Sequence, residues 1–487
     1  MVTALELPQA PPAAPPERRR RATATVSAVV ASAVLVWFGT GLSPVPWLTW
    51  LAPIPILVLA TRVPGRVAAA AGFVAWFGGS LTVWTYYTGT LEVPVPVVAG
   101  FLLAQGLAFA GAVALFRALV QRGRVVLAAL AAPAVWAGSE YLLSLVSPGG
   151  AFTSLGYTQA EVLPVIQVSA VTGVWGVSFL LMAVPALAAA LAGRTGWRRL
   201  IATGAVLATI TLGVGFWQLR APATGVALTV AMASIETTED SLPLASPEAQ
   251  RVLADYLREV PAVAAAGATV LVLPEKVFKV TAAELDVLGG QLTAVAAEHR
   301  ITIVVGLTLK DATGVHNVAM AYAADGATRY DKHFLVTGWE DHMTAGDRLS
   351  FLPGTTIGLA ICKDLDHPQL PRAYARQQAG MLLVPALDFD RDGWLHSRIA
   401  VVRGVENGIT VVRSAGRGRL TASDPHGRLL SDTAVDAGAT VTTVTVRAGS
   451  GRTAYTLMGD WFAWVCFALV AVAIWLTVLG RGRRLAA

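Results

Sequence analysis

The chain has 487 residues, 55% of them hydrophobic and only 14% charged, with a mean hydropathy of +0.59. Apolar residues gathered into long runs at this composition exclude an ordinary soluble protein and point to a polytopic membrane protein of two or three domains. The formal charge of +6 would suit a nucleic-acid binder, but residues 221–457 hold 21 Lys and Arg against 25 Asp and Glu, so the positive charge lies in short loops and tails and no basic patch remains.

Residues 1–23 are rich in Pro and Ala and carry Arg18–Arg21, which predicts a disordered tail. No clear cleavage site follows, and the next apolar run leads straight into others, unlike a signal peptide. Apolar segments recur at 24–40, 45–61, 67–88, 93–116, 125–146, 162–192 and 199–217, with an eighth at 458–480. A span needs about 20 residues, so 24–220 reads as a seven-helix membrane domain and 458–480 as a final span before the tail 481–487. Arginines at 18–21, 62 and 66, 117–124, 194–199 and 481–484 occupy alternate connections, while 41–45, 89–92 and 147–161 hold no Lys or Arg. That positive-inside pattern predicts cytoplasmic termini and an extracytoplasmic stretch 221–457. Glu140 falls in the fifth segment, where an acid is either functional or reaches the outer interface.

The 221–457 stretch has another texture. Short β-rich runs at Val226–Ala233, Ala268–Pro274, Ile301–Gly306 and Met381–Pro385 alternate with helical stretches at 246–266, 281–299 and 393–407. Near-continuous apolar strands predict a sheet buried on both faces inside one α/β domain.

Three strand ends carry chemistry. Val272-Leu-Pro-Glu275 places an acid past a strand, Tyr330-Asp-Lys332 a lysine, and Gly358-Leu-Ala-Ile-Cys362 a cysteine. The other cysteine, Cys466, lies far away in the last apolar run, which excludes a disulfide framework. A lone cysteine can be a buried structural thiol. As a nucleophile it needs a base, which a carboxylate can supply, and a cation where negative charge develops, which a lysine can supply. The seven histidines show no zinc-ligand spacing, and there is no Gly-x-Ser-x-Gly elbow.

Together these residues resemble the Glu-Lys-Cys triad of the nitrilase (carbon–nitrogen hydrolase) superfamily, and the membrane frame resembles the apolipoprotein N-acyltransferase family. Leu273-Pro-Glu275, Asn317 through Tyr330-Asp-Lys332-His-Phe-Leu-Val336, Arg403-Gly-Val-Glu406, Asp424-Pro-His-Gly427 and Gly156-Tyr-Thr-Gln159 match that family's motifs in order. The resemblance implies a multi-pass α-helical membrane domain with an extracytoplasmic nitrilase-like αββα sandwich, in the bacterial cytoplasmic membrane. It further implies that Glu275 is the general base, Lys332 stabilises the oxyanion and Cys362 is acylated. Glu340 and Asp364 would support them. The acyl donor would be a membrane phospholipid and the acceptor the N-terminal amine of a diacylated lipoprotein. No cofactor, metal or nucleic acid is expected, and the protein is expected to be a monomer.

The match departs at Thr337-Gly-Trp339, Lys363-Asp364, Phe152–Ser154 and Ala386–Trp394. Lys363 could lower the pKa of the neighbouring thiol or point away. Two alternatives stay open: a membrane-tethered amidase in which water resolves the thioester, and a non-catalytic lipoprotein binder. Whether the pocket opens to lipid near Trp339 and Phe351, or to water, separates the first two.

Overall fold

The computed structural model describes residues 16–193, 195–221, 225–389 and 391–485. Most of the expected tail, residues 1–15, lies outside the described residues, as do Arg194, residues 222–224, Asp390 and the last two residues. The first helix begins at Pro16, earlier than the tail boundary at 23 predicted. Proline suits the first helical position, where its missing N–H has no partner to lose.

Seven helices among the described residues are long and apolar enough to cross a membrane: Arg18–Gly39, Gly65–Thr90, Val95–Val120, Val125–Val146, Val174–Leu191, Trp197–Arg220 and Trp461–Val478. The second expected span is instead a broken pair, Pro46–Leu51 and Ile54–Ala60. Pro53 interrupts it, because proline lacks the N–H and crowds the preceding turn. The unit is about 22 Å long at most, yet it runs from one face of the bundle to the other. Gln159 accepts from Trp50 Nε1 (2.9 Å) and donates to the Pro46 carbonyl (3.0 Å) at one end, and Arg117 donates to the Ala60 carbonyl at the other. The expected 162–192 span is also divided. Two short turns, Leu163–Ile166 and Ser169–Thr172, precede the long helix, and Gly173 (φ +68) makes the break. A Cβ at Gly173 would meet the Tyr455 ring at 2.5 Å, so only glycine fits there.

The α/β domain is two sheets packed face to face with helices outside. One sheet is built around Ala227–Ile235, Val270–Val272 and Thr302–Asp311, which run parallel, and is extended by Gly314–Ala323, Gly326–Asp331 and Ala439–Arg447. The other centres on parallel Ile357–Leu359, Met381–Ala386 and Thr410–Ala415, followed by antiparallel Arg419–Ser423 and Leu429–Ala434. Pro247–Ala265 and Ala282–His299 cover the first sheet; Gln369–Arg376 and Gly393–Asn407 lie on the second. The strands at 301–306 and 381–385 and all three helices fall where the apolar pattern predicts. The central strands of each sheet are buried on both faces because one face meets a helix and the other meets the second sheet, while outer strands such as Leu429–Ala434 and Ala439–Arg447 stay partly exposed.

The helix Gly393–Asn407 is also the docking element. Arg403 donates to the Leu365 carbonyl (2.9 Å), to Glu406 and to the Tyr157 hydroxyl, while Glu406 accepts from the Val174 N–H (2.6 Å). Both charges are fully buried. Glu140 is likewise committed inside the protein: it accepts from Trp136 Nε1 (2.8 Å), Ser154 Oγ (2.8 Å) and the Leu155 N–H (2.9 Å), so it ties the 147–161 loop to its helix. Removing one member of a buried ion pair strands the other charge and costs about 3–5 kcal/mol. Arg403→Gln is therefore expected to lower the thermal unfolding midpoint of detergent-purified protein by many degrees, whereas substitution of exposed Arg258 leaves it unchanged.

Candidate active site

Glu275, Lys332, Glu340 and Cys362 converge on one buried centre between the sheets. Glu275 follows Val270–Val272, and its N–H donates to the Ala386 carbonyl (3.1 Å) of the opposite sheet. The strand Thr302–Asp311 passes so close that a Cβ on Gly306 would lie 2.4 Å from the Glu275 Cα. Lys332 leaves the hairpin strand Gly326–Asp331 and donates to Glu275 Oε1 (2.8 Å) and Glu340 Oε2 (2.9 Å). Exposure is 2% for Glu275 and 1% each for Lys332 and Glu340. Burial opposes the Lys332 charge, but Glu275 and Glu340 outweigh it and hold the ammonium well above its ordinary pKa. Burial also opposes Glu340, yet Lys332 and Lys276 pull its carboxyl well below the usual range.

Two further residues complete this array. Asn317 Nδ2 donates to Glu275 Oε1 (2.6 Å) and Glu340 Oε1 (2.7 Å), and Lys276 Nζ donates to Glu340 Oε1 (3.0 Å). Asn317 stands inside a matched motif, while Lys276 had only its position beside Glu275 to signal it. Two carboxylates thus face two ammonium groups, and Glu340 takes the larger share of the contacts.

Cys362 opens a tight turn, Cys362–Asp366, just past Ile357–Leu359. Its backbone is left-handed (φ +41), an unfavourable conformation for a non-glycine residue that persists only where the surroundings impose it. Asp364 imposes it. Its carboxylate accepts from the Ile361 N–H (2.9 Å), the Tyr330 hydroxyl (2.7 Å), and the His333 (3.1 Å) and Phe334 (3.0 Å) N–H groups. Asp364 therefore does not enter the charge array; it joins the cysteine turn to the lysine segment. Lys363 is half-buried in the same turn, and burial lowers its pKa.

The Cys362 thiol points at the Leu387 carbonyl (3.6 Å), and Arg413 Nη2 lies 3.9 Å from the sulfur. Burial raises the thiol pKa well above its ordinary value and Glu275 adds to this, while Arg413 and Lys332 act the other way. A resting thiol that shares a buried centre with a carboxylate and an ammonium group can pass its proton to the carboxylate as it attacks a carbonyl carbon, once the carboxylate comes within hydrogen-bond reach. Arg413 is held by both oxygens of Asp388. The sequence signal for it was a lone arginine within the otherwise uncharged, fully buried strand Thr410–Ala415.

A second buried network borders the first. His396 lies between Asp366 (3.5 Å) and Asp392 (3.4 Å), and the Tyr86 hydroxyl of the membrane portion donates to Asp392. Burial works against the imidazolium, but Asp392 and Asp366 push the His396 pKa up to about 10. Asp388, Asp392 and His396 gather closely, yet Asp388 is taken up by Arg413 and Asp392 by Tyr86 and the Phe389 N–H, so these groups read as charge pairs. Trp339 is 41% exposed at the rim, stacks edge-on against Phe389 and donates to the Leu91 carbonyl (3.1 Å) of the membrane portion. Phe351, expected at the mouth, instead packs against Tyr374, where the apolar core claims its ring.

The two halves match two family models. Residues 32–187 match the apolipoprotein N-acyltransferase N-terminal domain and residues 230–454 match carbon-nitrogen hydrolase. Fold and site thus define a membrane-embedded member of the carbon–nitrogen hydrolase superfamily. The chain is 30% identical to an apolipoprotein N-acyltransferase of Geobacter metallireducens, over 89% of this chain and 90% of that one. It is 24% identical to the Pasteurella multocida protein of the same name, over 71% and 74%. The chain belongs to the apolipoprotein N-acyltransferase family. Among solved structures, an amidase from Nesterenkonia sp. aligns at 21% identity and a TM-score of 0.40, over 46% of this chain and 92% of that one.

Asn at position 364 would present an amide N–H to donors that now meet a carboxylate oxygen. Asp364→Asn is expected to cost about 2 kcal/mol and to lower the unfolding midpoint, with Cys362 becoming more accessible to a bulky maleimide. Asp364→Ala, which empties the site, is expected to do more on both measures.

Proposed function

We propose that the protein transfers an acyl chain from a membrane phospholipid to the N-terminal amine of a diacylated lipoprotein through a Cys362 thioester. The observation that carries this reading is a buried Glu275–Lys332–Glu340 array that acts electrostatically on the buried Cys362 thiol, in a chain of the N-acyltransferase family. Glu275 takes the thiol proton as sulfur attacks the ester carbonyl. Lys332 stabilises the oxyanion that forms. The ester C–O bond breaks, and the lysophospholipid hydroxyl leaves with the proton held by Glu275. The acceptor amine then attacks the thioester and gives its proton to Glu275. The C–S bond breaks, an amide forms, and the thiol is restored. Glu340 and Asp364 do no proton transfer; the first positions Lys332 and the second positions the cysteine turn.

The family relationship and the apolar helices support a multi-pass protein of the bacterial cytoplasmic membrane. We assign the α/β domain to its extracytoplasmic side. The arginines at 62, 66, 117, 122 and 124 flank the bundle ends away from that domain, which touches the connections at 85–92 and 147–161. With basic loops cytoplasmic, the domain falls outside. The exposed Trp339 at the junction of rim and membrane portion favours a mouth that faces lipid, and so a transferase over a water-fed amidase.

The test uses purified protein in nanodiscs with phospholipid labelled in its acyl chains, followed by a diacylated lipopeptide. Label is expected on Cys362 first and then on the peptide amine. Cys362→Ala is expected to abolish both steps, and Glu275→Gln to slow acylation by about 10²-fold or more. Label lost to water with none on the peptide would replace the transferase with the amidase, and absence of any label on Cys362 would favour a lipoprotein binder.

A further inference from the structure

We propose that Arg413, oriented by Asp388, is a positioning residue that makes the Cys362 thiol ionisable: a second cation for the nucleophile, independent of Lys332. The inference rests on the reading of Cys362 as the nucleophile and says how its protonation is set.

The geometry separates the two cations. Lys332 is engaged by Glu275 and Glu340 and lies on the side where the general base stands. Arg413 reaches the sulfur from the second sheet, from the strand Thr410–Ala415, whose neighbour Met381–Ala386 also pairs with the strand leading into Cys362. Its guanidinium is 1% exposed and its strand is otherwise uncharged. A buried ion pair adds little stability over apolar residues of the same size, so packing alone gives no reason for an arginine at this point. Asp388 occupies Nη1 and Nη2 from one side. This fixes the planar fork and leaves Nη2 within 3.9 Å of Sγ.

The charged groups facing the thiol are Glu275, Lys332, Arg413 and Asp388, with Lys363 next in the chain. Glu275 and burial hold the proton on sulfur. Arg413 opposes them more strongly than Lys332 does, and Asp388 weakens that opposition least. The base therefore works on a thiol whose anion already has a cation beside it. When sulfur becomes negative, the guanidinium needs no movement to meet it. When the thioester forms, that negative charge is gone and Arg413 remains neutralised by Asp388.

The rate of Cys362 alkylation by iodoacetamide, followed against pH by peptide mass spectrometry on the full-length protein in detergent, reads this directly. Replacing the pair by Arg413→Gln with Asp388→Asn keeps shape and removes both charges. It is expected to raise the apparent thiol pKa by about one unit, and so to slow alkylation about tenfold below that pKa. Arg413→Lys, which keeps a charge without the fixed fork, is expected to fall between. Asp388→Asn alone keeps the guanidinium and one accepting oxygen to hold it while removing the charge that opposes it, so its profile is expected to move to lower pH. A folded double variant whose profile superimposes on the wild type overturns the proposal. So does a folded Asp388→Asn variant with an unchanged or raised profile, which keeps the test decisive if the double variant does not fold. Alkylation needs neither phospholipid nor lipopeptide. A shifted profile in a protein that never accepts an acyl chain would leave the role of Arg413 standing and sink the transferase reading. Acyl transfer with an unshifted profile would do the reverse.

Discussion

An ammonium group with 1% exposure, held between two carboxylates, is the constraint on which the rest of the domain depends. Lys332 cannot stay charged in that place without Glu275 and Glu340, because a bare buried cation would lose its proton or its position. The two acids are not equivalent. Glu340 also binds Lys276, Asn317 and the Val336 N–H, so its lone pairs are used up. Among the described residues Glu275 accepts from Lys332 and Asn317 alone, both on Oε1. One carboxylate is thus structural and leaves the other with an oxygen free to receive a proton. The division of labour follows from the count of donors around each acid, with no need to invoke different intrinsic basicity.

Holding this array and the cysteine turn in one buried centre takes support from both sides. On the α/β side Asp364 braces the left-handed Cys362 turn against Tyr330, His333 and Phe334, which joins it to the segment that carries Lys332. On the membrane side the Ala151 N–H bonds the Asp366 carbonyl, and Arg403 bonds the Leu365 carbonyl while reaching Tyr157 and Glu406. The far end of the cysteine turn is therefore held by the membrane bundle. The bundle is a structural support of the candidate site as well as an anchor.

Much of this was legible from residue order. The αββα strands and helices have strong periodicity, and Glu275, Lys332 and Cys362 stand at strand ends, where chemistry can be recognised by type. Motif residues such as Tyr157, Arg403 and Glu406 were visible as pattern but not as purpose; each turns out to join the two domains, a relation between segments hundreds of residues apart, while Gln159 ties the 147–161 loop to the broken helix pair at 46–60. Glu140 shows the same limit, since its partners Ser154 and Leu155 come from a loop whose course the sequence does not specify. Arg413, Asp388 and His396 carried only the weak signal of charge in an apolar setting. Helix breaks at Pro53 and Gly173 were hidden for another reason: a hydropathy window averages over a single proline or glycine, whereas the backbone does not.

The departures from the family pattern at the rim acquire a common physical sense from these contacts. Trp339 bonds the Leu91 carbonyl and meets Phe389; Arg391 bonds Thr85, and Asp392 holds Tyr86. Two altered segments of the α/β domain, Thr337–Trp339 and Ala386–Trp394, touch the same connection of the membrane portion, residues 84–92, whereas Asp364 is bonded within the α/β domain. Such changes are coupled because a ring or charge placed on one side needs a partner on the other. The centre behind the rim obeys a stricter rule, since Glu275, Lys332, Glu340, Asp388 and Arg413 are buried there and must be balanced within a few ångströms. Variation is therefore cheap where solvent and lipid can absorb a misplaced group and costly where only another side chain can. That difference in dielectric surroundings separates the rim, where a group can be exchanged, from Glu275, Lys332 and Glu340, whose charges need one another.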